Sequence, residues 1–240
     1  MNVNFKDLGN DNSLKIQVYK NIKSMIINGH LKPKERLLEE SLSKAMNVSR
    51  APIREALNRL EKEGFVKIFP RRGAVVSDIS IHDVEEIFEI REALEVLAIT
   101  QSMPGISIKE LENIICEMKK IENNSNEEQG KNDFLSLDKA FHKLIRKNCH
   151  NRRVKQILEN LQEHMKWLRS IAYENISINQ SIREHILIFE AIKRSDKELV
   201  KERLSNHLIR AKKSLLDSKY LSLESRYTDK EEKKGIRVNG

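Results

Sequence analysis

Three histidines and one aspartate in the second half of the chain have the types and spacing to bind a cation. Asp138 and His142 are four residues apart, so one face of a helix carries both. His185 and His207 each fall on an apolar helical stripe further along the chain. A buried, ionised aspartate is costly without compensation, whereas a divalent cation supplies charge and satisfies imidazole nitrogens together. A metal site is therefore one hypothesis.

A second interpretation fits the same residues. A single histidine on an apolar face is usually a core residue satisfied by one hydrogen bond. Asp138 could pair with one protonated histidine in a buried hydrogen-bonded network instead of binding a metal. Spacing alone leaves both interpretations open. The other four histidines are predicted at helix ends, in loops or beside charged residues, and they are assigned no role: His30, His82, His150 and His164.

Helical periodicity predicts the elements that carry this cluster. After Ser80 the apolar residues recur with a helical period, and Pro104 with Gly105 interrupts the pattern. Six helices are predicted, over residues 81–101, 107–124, 131–148, 151–173, 178–194 and 196–218. Asn151 and Asp196 are placed to cap two of these helices at their N-termini. We therefore expect an all-helical domain over residues 79–220.

The first third of the chain has a different pattern. Three helices are predicted there, over residues 14–27, 37–46 and 49–64. Gly29 ends the first helix, and Asn47 begins a tight turn between the second and the third. Ser49 is expected to cap the third helix through its hydroxyl, and Gly64 closes that helix. Two helices joined by a tight turn predict a helix-turn-helix.

A predicted hairpin follows these helices. The apolar runs at 65–69 and 74–77 predict two strands, joined by Pro70, Arg71, Arg72 and Gly73. A helix-turn-helix followed by a basic hairpin makes a winged helix-turn-helix, whose second helix enters the major groove of DNA. Arg50 and Arg54 lie at the start of that helix. Residues 1–78 are therefore predicted to form a DNA-binding domain.

Composition and charge agree with a two-domain, mainly α protein. The chain has 240 residues, of which 39% are hydrophobic and only 5% aromatic, so helices are favoured over sheets. Residues 1–78 hold 15 Lys and Arg against 9 Asp and Glu, a net charge of +6 out of +8 for the chain. A phosphate-rich partner and a solubilising surface both explain this bias. Two cysteines and the lack of a signal peptide or a membrane-spanning run predict a cytoplasmic protein. Residues 221–240 are expected to form a mobile tail.

The DNA-binding region resembles a known family. The stretch VYKNIKSMIINGHLKPKERLLEESLSKAMNVSRAPIREALNRLEKEGFVKIFPRRGAVV is similar to the N-terminal domain of GntR-family bacterial transcription regulators. The resemblance implies that operator DNA is contacted by Ser49, Arg50, Ala51 and Arg54, and that Arg72 and Gly73 at the wing tip reach the minor groove. Ala51 departs from the threonine of many relatives, which leaves a methyl group and removes a hydroxyl donor.

The helical region resembles the FCD domain of the FadR subfamily, with a VanR-like arrangement of helices. The segments DKAFH, EHILIFEAI and HL match the motif of that domain. The resemblance implies that Asp138, His142, His185 and His207 bind a divalent metal ion, which could be zinc, nickel, manganese or iron. It thereby favours the metal over the hydrogen-bonded network.

Arg91 shares the inward stripe of its predicted helix, where an unpaired guanidinium would be costly. In relatives the arginine of the IREALE segment meets the carboxylate of the effector through a two-pronged hydrogen bond. A salt bridge from Arg91 to Glu95, one turn further along the helix, is an equal alternative.

Together these features predict a bacterial transcription regulator, and two rival interpretations exist. The prediction is a repressor that binds a palindromic operator as a homodimer and senses a small carboxylate at a metal site. An acyl-CoA sensor on the same fold, without the metal, is the first rival. A metalloenzyme is the second, and the sequence argues against it because an HExxH helix and an evident general base are missing.

Overall fold

A computed structural model describes residues 13–70, 73–122, 127–171, 177–218 and 221. The chain divides into two compact units. The first comprises residues 1–80 together with 163–171, and the second comprises residues 81–162 together with 172–240. The predicted mobile tail at 221–240 lies outside the described residues, apart from residue 221.

The first unit is built of three helices and a small sheet. Its helices are α1 (Ser13–Ile27), α2 (Glu39–Met46) and α3 (Arg50–Lys62), and its strands are β1 (Arg36–Leu37), β2 (Val66–Phe69) and β3 (Gly73–Val76). Helix α3 buries the apolar face formed by Ile53, Ala56, Leu57 and Leu60. Asn47 has a left-handed backbone, with φ of 53°, which makes the tight turn between α2 and α3. The predicted winged helix-turn-helix and mainly α fold class are confirmed.

Two local predictions in this unit were wrong. The predicted hairpin is present as β2 and β3. Strand β1, which was not predicted, joins it in a three-stranded antiparallel sheet in the order β1-β3-β2. Helix α2 was predicted from residue 37. Arg36 and Leu37 pair with Val75 and Ala74, so helix α2 begins only at Glu39. Ser49 occupies the cap position of α3, but its hydroxyl accepts no capping hydrogen bond.

Residues 163–171 complete the first unit. The ring of His164 stacks on Phe65, with 4.4 Å between the ring centroids, and its Nε2 donates to the Glu63 carbonyl at 2.9 Å. Lys23 is buried in the same unit, where its ammonium group pairs with the carboxylates of Glu63 and Glu163. His164, which sequence reasoning left without a role, is therefore a packing residue here.

The second unit is helical in its described residues. It contains α4 (Ile81–Ser102), α5 (Ile108–Glu122), α6 (Glu127–Arg146), α8 (Ile178–Lys193), α9 (Lys197–Leu216) and the first part of α7 (Arg152–Ile171). A short 3-10 turn over Met103–Gly105 separates α4 from α5, where Pro104 was predicted to interrupt the pattern. All six predicted helices are present. No described helix is both long and apolar enough to cross a membrane.

The apolar core of the second unit packs together the helices on which the histidine and aspartate residues lie. Phe141, Leu144 and Ile145 of α6 pack in one apolar cluster with residues of α5, α8 and α9. The predicted caps form, because Asp196 Oδ1 accepts the Leu199 amide at 3.0 Å and Asn151 Oδ1 accepts two amides at the start of α7. Capping satisfies amide groups that a helix leaves unpaired in its first turn. Helices α6, α8 and α9 therefore have fixed positions around a common interior.

Candidate metal centre and nucleic-acid interface

The four predicted ligands meet at one buried point. Asp138 and His142 come from α6, His185 from α8 and His207 from α9. One ligand atom from each residue can be chosen so that all four lie within 4.8 Å of one another. Each of the four residues is at most 4% exposed to solvent. The three helices therefore bring residues up to 69 positions apart in the sequence to a single site.

Hydrogen bonds fix the orientation of the three imidazole rings. His142 Nδ1 donates to Glu95 Oε2 at 2.8 Å, and His207 Nδ1 donates to Glu184 Oε2 at 2.8 Å. His185 Nδ1 donates to the Ser181 carbonyl at 2.6 Å. Because each acceptor is an oxygen, Nδ1 carries the proton and Nε2 keeps its lone pair. Partners of this kind orient the histidine ligands of metal sites.

The Nε2 atoms of two of these rings lie near Asp138. The distance from Asp138 Oδ1 to His185 Nε2 is 3.3 Å, and the distance to His142 Nε2 is 3.6 Å. His185 Nε2 is fully buried and has no hydrogen-bond partner within the part of the chain that the structure describes. A lone pair left unused in the interior is costly, and a bound cation would satisfy it. The donor set therefore fits a divalent transition metal.

Burial favours the neutral form of the His142 and His207 imidazoles. It lowers the pKa of His207 to about 3, an effect that the neighbouring His185 reinforces. Burial also lowers the pKa of His142, although Glu95 opposes the change. A neutral imidazole is the form that binds a metal ion. These rings therefore need to lose no proton to act as ligands near neutral pH.

Two acidic residues that orient the imidazoles of the cluster were not assigned this role from the sequence. Burial raises the pKa of the Glu184 carboxyl, but His207 and Arg210 outweigh it and bring the pKa to about 2. For Glu95, Arg91 and His142 likewise outweigh burial and hold the pKa below its usual range. Both carboxylates are thus ionised acceptors. Glu184 precedes a ligand in the sequence, but that adjacency does not reveal that it contacts His207.

Arg91 makes the predicted salt bridge and also faces the cluster. Its Nε donates to Glu95 Oε1 at 2.6 Å. Its Nη2 lies 3.4 Å from His142 Nε2, the atom turned toward the centre. Its Nη1 is fully buried and has no hydrogen-bond partner among the described residues. One edge of the guanidinium is therefore occupied by Glu95, and Nη1 remains for another acceptor.

The predicted DNA-contacting residues form an exposed surface at the start of α3. All four of these side chains are exposed, on the side away from the buried face of the helix: Ser49, Arg50, Ala51 and Arg54. Arg54 donates to both oxygens of Glu39, at 2.9 and 3.1 Å. Gly73 begins β3 with φ of 83°, a conformation that favours glycine. Arg72 lies outside the described residues.

Comparison with known proteins gives the family. Residues 14–76 match the gntR family of bacterial regulatory proteins, and residues 86–210, more than half of the chain, match the FCD domain. The chain is 36% identical over 196 residues to the uncharacterized HTH-type transcriptional regulator YdhC of Bacillus subtilis, strain 168. That alignment covers 80% of this chain and 86% of YdhC. The chain belongs to the GntR family and carries an FCD domain.

This GntR-family chain is also similar to a named repressor and to a solved structure. It is 27% identical over 202 residues to the HTH-type transcriptional repressor RspR of Escherichia coli K12, over 80% of this chain and 84% of RspR. The solved structure of E. coli McbR/YncC shares the fold, with a TM-score of 0.66 and 22% identity, over 84% of this chain and 96% of that one. This GntR-family chain is a DNA-binding transcriptional regulator and not an enzyme.

Proposed function

We propose that this regulator represses transcription as a homodimer on a palindromic operator, and that a small organic acid bound at a divalent metal in the FCD domain controls it. The observation that carries the sensing half is the buried set of Asp138, His142, His185 and His207, whose imidazoles are oriented by hydrogen bonds at Nδ1. Zinc, nickel, manganese and iron all accept such a ligand set.

The effector would bind beside the metal ion. Four protein ligands leave two positions of a six-coordinate ion for water or for oxygens of an organic acid. Arg91 Nη2 lies 3.4 Å from Nε2 of His142, and no described residue offers Arg91 Nη1 a hydrogen-bond partner. A carboxylate that touches both the metal and Arg91 would satisfy this buried guanidinium. A bound metal ion would act as a Lewis acid toward the carboxylate, and Arg91 would donate a hydrogen bond to it from a fixed direction.

Operator binding would use the exposed start of α3. The first residues of a recognition helix meet base edges in the major groove, and a wing contacts the adjacent groove. Arg50 and Arg54 are the cations of that surface, and arginine reads guanine through two hydrogen bonds. Arg72, which lies outside the described residues, and the exposed Gly73 are proposed to contact the minor groove. The name of RspR supports the choice of repression over activation.

A homodimer would give the operator its palindromic symmetry, because each recognition helix reads one half-site. Helix α4 exposes Ile90 and Leu97, which stand seven residues apart on one side of the helix and are 48% and 41% exposed. Ile157 of α7 is also exposed, on a helix that packs against α4 through Ala98 and Leu158. Exposed apolar side chains grouped in this way mark interaction surfaces. We assign this face to the dimer contact.

The effector must favour one state of the dimer through unequal affinity, since equal affinity for both states would shift nothing. The decisive experiment is a thermal-shift screen of small carboxylates and sugar acids on the full-length protein, with and without chelator. An acid whose stabilisation disappears with chelator supports the proposal. Protein purified without a histidine tag that holds no metal, and a His142→Ala variant with unchanged ligand response, would instead favour a metal-independent sensor such as the acyl-CoA type.

A further inference from the structure

A surface cleft in the second unit lies where the turn that follows α4 faces the connection between α6 and α7. Its volume is about 580 Å³, which is within the range of small-molecule binding sites. The residues that line it come from the stretches 101–105 and 147–155, both of which belong to the second unit. No residue of the candidate metal centre lines the cleft, so a ligand here would occupy a separate site.

The cleft is lined by basic side chains. Lys147, Arg152 and Lys155 contribute three permanent cations, His150 adds an imidazole, and no aspartate or glutamate is among the lining residues. Among the described residues, the only carboxylate paired with one of these cations is that of Glu110. It lies 3.4 Å from the Lys147 ammonium group, and both side chains are more than half exposed. Because an exposed pair of this kind contributes little, the positive charge of the cleft is largely uncompensated by the described residues.

Hydrogen bonds hold the walls of the cleft in place without a ligand. The side-chain amide of Asn148 donates to the Gly105 carbonyl, which ties the two lining stretches together. The ammonium group of Lys155, in the first turn of α7, donates to the Lys147 carbonyl at 2.8 Å, just after the end of α6. The basic side chains are therefore carried on backbone that is already fixed. A preformed site loses less conformational entropy when its ligand binds.

The charge and the donor types favour a ligand that carries phosphate. Arginine matches the oxygens of a phosphate with two parallel hydrogen bonds, and lysine binds phosphate as a point charge. Two linked phosphates carry enough negative charge to compensate several cations at once, whereas a single carboxylate compensates one. The volume of the cleft also leaves room for the group to which the phosphates are attached.

We propose that this cleft binds a small metabolite through a diphosphate or triphosphate group, which Lys147, Arg152 and Lys155 contact. The site would give the regulator a second ligand beside the one sensed at the metal centre. The inference does not rest on the metal or on its organic acid. Its failure would therefore leave the proposed function unchanged.

The test is isothermal titration calorimetry of the full-length protein with inorganic pyrophosphate, sulfate and citrate at one ionic strength. A common ionic strength is needed because salt screens exposed charges. We expect the Kd of pyrophosphate to be about tenfold or more below those of sulfate and citrate. Equal Kd values for pyrophosphate and sulfate would reduce the cleft to general charge attraction and overturn the proposal. A lower Kd for citrate would overturn the choice of phosphate.

Variants locate the binding. Arg152→Gln and Lys147→Gln each remove one cation from an exposed position in the cleft, so both should fold, and each should raise the Kd of pyrophosphate by about tenfold. Arg153→Gln is the matched control, because it removes the same charge from the next exposed residue of α7, which does not line the cleft. Arg50→Gln tests the DNA-binding surface in the same way. Equal losses in Arg153→Gln and Arg152→Gln, or a loss confined to Arg50→Gln, would overturn the assignment.

Titrations with ADP and adenosine distinguish the sources of the diphosphate. We expect ADP to bind and to lose affinity in Arg152→Gln, and adenosine not to bind, because it carries no phosphate. A Kd for ADP below that of pyrophosphate would identify a nucleotide as the source, and a higher Kd would indicate a diphosphate on a different carrier. Adenosine that binds with the Kd of ADP would overturn the proposal, because recognition would then not depend on phosphate.

Discussion

At the scale of single residues, the two ring nitrogens of each histidine in the cluster have different roles. Nδ1 of His142, His185 and His207 is used in a hydrogen bond to an oxygen of the protein, so the tautomer is fixed. The Nε2 of His185 is buried, and the described residues provide it with no hydrogen-bond partner. An ordinary core histidine would satisfy both nitrogens inside the protein or in water. The unused nitrogen is the feature that distinguishes a ligand site from packing.

Removing one ligand should remove the metal. We expect His185→Ala to lose most bound metal, measured by elemental analysis of protein purified without a histidine tag, while the helical circular dichroism stays. His82→Ala is the matched control, because His82 is an exposed histidine at the start of α4. Wild-type metal content in His185→Ala would contradict the assignment.

Glu184 offers a test of orientation without loss of a ligand. Its carboxylate accepts from His207 Nδ1 at 2.8 Å and also pairs with Arg210. Glu184→Gln keeps the shape but weakens the acceptor, so we expect metal affinity to fall by about 10- to 100-fold, measured by competition with a chromophoric chelator. Glu198→Gln on the exposed surface of α9 should bind metal like the wild type. An unchanged affinity in Glu184→Gln would show that the carboxylate does not support the ligand.

At the scale of elements, the helix ends differ in how they are stabilised. Asp196 caps α9 with a side-chain hydrogen bond to the Leu199 amide, whereas Ser49 occupies the cap position of α3 without one. Both are residue types that favour the cap position. The difference therefore lies in side-chain geometry and not in residue preference.

The two caps should respond differently to the same kind of substitution. We expect Asp196→Ala to cost about 1 kcal/mol and to lower the melting temperature by about 2–4 °C, since a capping hydrogen bond is lost. Ser49→Ala should leave the melting temperature unchanged, because no capping bond is present to lose. Both are measured by thermal unfolding followed by circular dichroism. Equal losses in the two variants would contradict the observed difference.

Helix α3 has one buried face and one exposed face, and the exposed face is proposed to read the operator. Arg54→Ala should abolish specific operator binding without unfolding the chain, measured by gel-shift titration at fixed salt on a sequence selected from random DNA. Lys62→Ala removes the same charge from the last turn of the same helix. It should lower the affinity for specific and for nonspecific DNA by the same factor. Unchanged specific affinity in Arg54→Ala would refute the role of that side chain.

At the scale of the whole molecule, sensing requires that the effector bind with unequal affinity to two states of a dimer. The proposed contact face on α4 carries Ile90 and Leu97, which are large apolar residues with substantial exposure. A charge in the middle of such a face would be desolvated on association, at a cost that the contact cannot recover. The oligomeric state is therefore sensitive to a single substitution there.

The dimer prediction follows directly. Leu97→Glu should shift the protein from dimer to monomer in sedimentation velocity experiments while the helical content stays. Leu187→Glu is the control, because Leu187 is a comparably exposed leucine on α8, outside the proposed face. A monomeric wild type, or a Leu97→Glu variant that remains dimeric, would remove this face from the proposal.

The sequence by itself predicted the helices and the winged helix-turn-helix, because these depend on local periodicity, which a chain carries without its tertiary contacts. It also placed Asp138, His142, His185 and His207 on inward helix faces, but only the resemblance to the FCD domain favoured a metal site there over a hydrogen-bonded network. Asn47 and Asp196 show the same rule, because their turn and cap depend on neighbouring residues.

Only the tertiary structure decided features that depend on residues distant in the sequence. Strand β1 is two residues long and exists because Arg36 and Leu37 pair with β3, so no local pattern could predict it. The tertiary structure also showed that Arg91 contacts Glu95 and His142 at once, and that Arg146 is buried without an ion pair among the described residues. Spacing shows which face of a helix a residue occupies, whereas charge compensation depends on what the packed helices bring against that face.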